Sequence, residues 1–154
     1  MPRERRFHAA CWEVSVPRAE LEGLLANIRM QNPGLLVQVY GATRAPNPGA
    51  VEMIAAQTLM AARSGSTLAE RPELDLLLRL AGTRQIGQAF QRVGYNSNGK
   101  RFFMVAASEG NAGELARMGK RMAADNRFTE VPKRQLAEGD LEQVERAALL
   151  AARL

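Results

Sequence analysis

Arg84 and Gln85 stand side by side in Gly82-Thr83-Arg84-Gln85-Ile86, a short polar stretch between two apolar repeats. An arginine guanidinium is a planar fork that grips phosphate through two hydrogen bonds and stacks on a base. The chemistry on offer is recognition of an anion. Other basic residues gather nearby in the sequence. Arg79 precedes the same segment, Lys100 and Arg101 lie together, and Arg117, Lys120 and Arg121 fall at i, i+3 and i+4 with Arg127, Lys133 and Arg134 close behind. Such spacing puts the middle group on one helix face. Each cluster taken singly reads as a solvated face; taken together they are candidates to line an RNA-binding groove. Aromatic residues make up 5% of the chain, so a base-stacking sheet is not expected and recognition would rest on phosphate and shape.

Bond-making chemistry lacks parts. His8 is the only histidine, no Ser or Cys lies in a nucleophile-elbow context, and there is no phosphate-binding glycine loop or zinc-ligand spacing. Glu13, Glu52, Glu70, Glu73 and Asp75 fall where solvated helix faces or caps are expected. The expectation is a protein without catalytic residues, metal or cofactor. Cys11, the sole cysteine, lies in a strand-like run and is expected to be a buried, inert thiol.

Charge points the same way as the clusters. The chain of 154 residues carries a formal charge of +5 and has a pI near 10.1. Only Lys100, Lys120 and Lys133 are lysines, so arginine supplies the excess. That favours a polyanion partner, although a GC-rich genome produces the same bias. No apolar run approaches membrane-spanning length, and the basic start Met-Pro-Arg-Glu-Arg-Arg lacks the apolar core of a signal peptide, so a cytoplasmic protein is expected.

The elements that must position these residues follow from periodicity. Phe7 to Val16 alternates Trp12, Val14 and Val16 against Glu13 and Ser15, which predicts a half-buried strand closed by Pro17. Leu21, Leu24, Leu25 and Ile28 predict a helix that Asn32-Pro33-Gly34 stops, and Leu35 to Tyr40 is β-rich. Asn47-Pro48 fits a cap followed by proline at the first helical position, and Ser64-Gly65-Ser66 ends that helix. Leu74, Leu77, Leu78 and Ala81, then Ile86, Ala89, Phe90 and Val93, make two core-facing stripes. Gly82 would end the first of these helices in a left-handed conformation and Thr83 would cap the second, leaving Arg84 and Gln85 in its first turn.

Asn98-Gly99 signals a tight turn, and the continuously apolar Phe102 to Ala107 predicts a central strand buried on both faces. Asn111 starts a helix with Leu115 and Met118 inward; Phe128 to Val131 reads as a short strand that Pro132 confines to an edge. Gly139-Asp140 opens a final helix. With no repeat or linker, residues 1–154 read as one compact α+β domain, a mostly antiparallel sheet covered by several helices, with residues 1–6 expected to be disordered.

The Leu-rich helix running into Gly-Thr-Arg-Gln-Ile, then Ala89, then Val93-Gly94, resembles the small tRNA-recruiting, kinase-binding subunit of the KEOPS complex, archaeal type, the assembly that installs threonylcarbamoyladenosine on tRNA. The resemblance runs from Leu35 to Ala124, through Gly41-Ala42, the Ala-rich helix Ala50 to Arg63 and the strand Arg101 to Ser108. It implies a non-catalytic accessory subunit, monomeric on its own, that grips the single-stranded 3′ CCA tail of tRNA and works in a hetero-oligomer with a small atypical kinase. The motif carries over only Arg84, Gln85 and Ile86. Arg79, Lys100, Arg101, Lys120 and Arg121 join the candidate RNA set on charge and position.

The final helix is apolar over more than half its circumference, through Leu141, Val144, Ala147, Ala148, Leu149, Leu150, Ala151 and Leu154. A terminal helix rarely needs two buried sides, so Leu149, Leu150 and Leu154 are candidates for a second protein. The resemblance implies that this end and the helix bearing Ile54 clasp the kinase. The alternatives are a stand-alone basic RNA-binding domain, whose last helix would be wholly internal, and a small enzyme using Arg84 with Glu73.

Overall fold

In the computed structural model, which describes residues 6–94 and 101–152, four strands form one antiparallel sheet in the order β2-β3-β1-β4. They are β1 (Phe7–Val14), β2 (Leu36–Ala42), β3 (Arg101–Glu109) and β4 (Phe128–Glu130). Six α-helices cover the sheet among the described residues: α1 (Leu21–Gln31), α2 (Pro48–Ser64), α3 (Pro72–Ala81), α4 (Ile86–Val93), α5 (Ala112–Ala123) and α6 (Glu138–Ala152). The chain is an α+β domain of the expected kind. The Asn98-Gly99 turn lies outside the described residues.

β3 is central, pairing Val105 with Cys11 of β1 on one side and with Gln38 of β2 on the other. Its alternate residues feed two cores. Phe103, Val105 and Ala107 pack with Ala9, Cys11, Leu36 and Tyr40 under α2, α3 and α6. Met104 and Ala106 pack with Trp12, Val14, Val37 and Val39 under α1 and α5. β1 is therefore not half-buried as its alternation predicts. It is the second central strand, and both its faces are covered because β3 and β4 flank it and helices lie above and below. β4 takes the edge, as Pro132 requires.

Local chemistry sets the helix ends. Asn47 Oδ1 accepts from the Gly49 N–H at 3.0 Å and Pro48 occupies the first turn of α2, while Gly65 closes that helix at φ 74°. Burial of the thiol in the core pushes Cys11 up to about 12, which leaves it neutral and unreactive at ordinary pH.

α3 departs from the stripe pattern. Every residue from Asp75 to Ala81 is buried, because α2, α4, α6 and β2 surround the helix. Two charges are thus enclosed and paired, Arg79 Nε donating to Asp75 Oδ1 at 2.6 Å, while Arg79 Nη2 has no hydrogen-bond partner among the described residues. The same carboxylate accepts from Thr58 Oγ1 at 2.9 Å and from the Leu68 N–H at 2.6 Å. Longer contacts run from Arg79 Nη1 to Gln57 Oε1 at 3.4 Å and to the Ala147 carbonyl at 3.5 Å, joining α2, α3 and α6 at one point. The expectation that Asp75 sits on a solvated face is corrected accordingly.

α4 corrects a second stripe. Only Ala89 is buried, while Ile86 and Phe90 are 46% and 41% exposed. An eight-residue helix resting chiefly on α3 and β2 has too narrow a contact to cover the whole apolar face.

Removing one member of a buried ion pair leaves the other charge uncompensated, at a cost of about 3–5 kcal/mol. Chemical denaturation of Asp75→Ala should show a loss of that size, against a small effect for the exposed-pair variant Asp125→Ala. A denaturation midpoint unchanged by Asp75→Ala would refute this account of α3.

Candidate nucleic-acid interface at the helical elbow

α3 ends where its sequence says it should. Gly82 is left-handed at φ 72°, its N–H donates to the Leu78 carbonyl at 2.9 Å, and the Thr83 N–H reaches the same carbonyl at 3.2 Å. Thr83 then turns inward instead of capping α4. It is buried, its Oγ1 accepts from the Gln85 N–H at 3.2 Å, and it bonds Gln88 Oε1 at 2.8 Å. The cap position falls to Gln85, so Arg84 and Gln85 precede the first turn rather than occupy it. Both are exposed at the corner.

Arginines gather at the corner, although α6, which reaches it, also carries the exposed Glu142 and Glu145. No Asp or Glu occurs between Asp75 and Glu109, and Arg92 Nη1 donates to the Ala81 carbonyl at 3.2 Å. From α6, Gln143 Nε2 donates to the Leu80 carbonyl at 3.3 Å, and Arg146 lies over Gly82. Cationic side chains suit this place because the C-terminal carbonyls of α3 carry partial negative charge. Arg92 and Arg146 have no signal in the sequence alone, since only the fold brings α4 and α6 to the end of α3.

The other expected RNA residues scatter. Arg79 is buried in its pair with Asp75 and is withdrawn from any surface that RNA would meet. Lys100 lies outside the described residues. Arg101 is exposed at the end of β3 and bound by two hydrogen bonds to Glu13, from Nε to Oε2 at 2.8 Å and from Nη2 to Oε1 at 2.7 Å. That guanidinium holds the Glu13 carboxyl below its usual range. Lys120 and Arg121 are exposed on α5, whose buried Met118 and Met122 face the core shared with α1. The elbow lies across the sheet from them, since α3 packs into the opposite core. The basic clusters therefore do not line one groove.

Partner residues divide similarly. Ile54 is wholly buried in the core, which removes it as a surface contact; Leu149 is 54% exposed, Leu150 is half-buried and Leu154 lies outside the described residues. Sequence reasoning missed Met53 and Met60 of α2, which share a face at i and i+7 and are 42% and 54% exposed. The periodicity held the signal. Ile54 and Met53 differ by one residue of helical phase, and the core lies on the side of Ile54.

A concavity of about 520 Å³ lies at the far end of the α3–α4 hairpin, lined by Arg29, Arg71, Leu77 and Phe90 among others. Its cations are matched by Glu22 and Glu73, and the free edge of β2 beneath it is plugged where Arg29 donates to the Val37 carbonyl at 2.8 Å. Among the described residues no group of three His, Cys, Asp or Glu side chains could hold a metal ion, and no helix is long and apolar enough to cross a membrane. No protein-family model matches the chain, and no curated protein matches it.

Proposed function

We propose that the protein is a non-catalytic accessory subunit of a tRNA-modifying assembly of the KEOPS type, acting in the cytoplasm, where it binds the 3′ CCA end of tRNA and a small atypical kinase. The observation that carries this reading is the presentation of Arg84 and Gln85 at a corner fixed by Gly82 and Thr83, in a stretch free of acidic residues. A guanidinium offers phosphate two parallel charge-assisted hydrogen bonds, and a corner fixed at its backbone spares the ordering of the loop. The resemblance of the surrounding sequence supplies the identity of the RNA.

The kinase half of the reading rests on exposed apolar surface. α2 and α6 pack together, and each leaves large apolar side chains uncovered: Met53 and Met60 on one, Leu141 and Leu149 on the other. Leu141 and Ala148, at i and i+7, share one exposed face of α6. Flexible methionines beside leucine suit a protein partner.

A tRNA gel shift tests the RNA reading. Arg84→Ala should weaken binding about tenfold, the value of one charged hydrogen bond, and a tRNA lacking its CCA end should lose binding to the wild type. Unchanged binding by Arg84→Ala defeats the elbow reading, and unchanged binding of the truncated tRNA defeats the assignment of the CCA end. For the partner, Leu149→Glu should abolish copurification with the cognate kinase while leaving the circular dichroism spectrum unaltered. A folded Leu149→Glu protein that still retains the kinase removes this face from the interface.

A further inference from the structure

The register of α6 on the domain is set by hydrogen bonds at closely spaced positions. Gln143 Nε2 donates to the Leu80 carbonyl at 3.3 Å, Gln57 Nε2 donates to the Val144 carbonyl at 3.1 Å, and Arg79 Nη1 reaches the Ala147 carbonyl at 3.5 Å. Arg146 falls between the last two, on the side of α6 that meets the end of α3. Its Cδ lies 2.8 Å, and its Nη1 3.5 Å, from the point where a β-carbon on residue 82 would stand. The missing side chain of Gly82 therefore does two things. It permits φ 72° and it opens the space in which the Arg146 stem lies. Arg146 is exposed, and among the described residues its guanidinium has no hydrogen-bond or ion-pair partner.

We propose that Arg146 is a second phosphate-binding residue of the elbow site, so that the last helix completes the RNA surface begun by Arg84. This deepens the reading of the elbow as the tRNA contact and rests on it. An aliphatic stem laid over a glycine orients the guanidinium without consuming its donors. Phosphates along a single-stranded tail recur every nucleotide, so an arginine lying over Gly82 and another two residues beyond it in the chain suit a backbone better than a single anion. The competing role, a cation that only complements the negative end of α3, would stabilise the fold without affecting the counterions released by RNA.

Salt dependence separates these roles. Filter binding of a tRNA transcript ending in CCA, measured across a salt series, compares wild type with Arg84→Ala, Arg146→Ala and Arg146→Lys, with a thermal melt for each. Arg146→Ala should bind about tenfold more weakly and lower the slope of log affinity against log salt by about 0.7, the single-strand value for one phosphate. Arg146→Lys keeps the charge and should restore the slope. Wild-type affinity in Arg146→Ala, or weaker binding with an unchanged slope, overturns the inference. Should Arg84→Ala be weakened while Arg146→Ala is not, only the inference falls; wild-type affinity in Arg84→Ala defeats the elbow reading itself.

Discussion

Asp75 and Arg79 place a carboxylate and a guanidinium inside a helical layer where neither can meet water. Burying two charges is costly unless they are paired, and this pair, in which Arg79 Nη2 still lacks a partner, constrains the elements around it. Asp75 takes Arg79 from its own helix, Thr58 from α2 and a backbone N–H from the α2–α3 connection. Arg79 extends toward Gln57 and the backbone of α6. Sliding α3 by a residue would break all of these together. The pair contributes position at a desolvation cost that offsets much of its attraction.

That position is what gives the elbow its form. With α3 fixed, its last turn must end at Gly82, and the two polar residues after the inward-turned Thr83 are left on the surface. α6 is seated by the same cluster and carries two different sides. One face carries the exposed Leu141 and Ala148; the α3 side carries Gln143 and Arg146 to the corner. One helix thus borders both the basic elbow and the apolar surface of α2.

How much was legible in the sequence depended on the range of the interaction responsible. Asn47-Pro48, Gly65 and Gly82 act within one turn, and the helix ends they imply are found. The continuous apolar run of β3 reports two covered faces without reference to any neighbour. β1 misleads because Glu13 looks like an outward residue, whereas it lies toward the end of a central strand beside Arg101. Asp75 and Arg79 at i and i+4 look like an ordinary surface pair; what buries them is α6, distant in sequence. Ile86 and Phe90 show the converse, apolar residues at core spacing on a helix too short to be covered. Whether Lys120 and Arg121 share a face with Arg84 depends on which side of the sheet each helix crosses, and periodicity carries no record of that.

The central claim is that RNA meets this protein at the elbow and the adjoining turn of α6, and not at the equally basic α5 across the sheet. Backbone hydrogen exchange with and without a CCA-ended tRNA tests it without altering a residue. Amides from Thr83 to Gln88 and around Arg146 should exchange more slowly in the complex, while those from Arg117 to Arg127 keep their free rates. Protection confined to α5, with the elbow unchanged, would contradict the account.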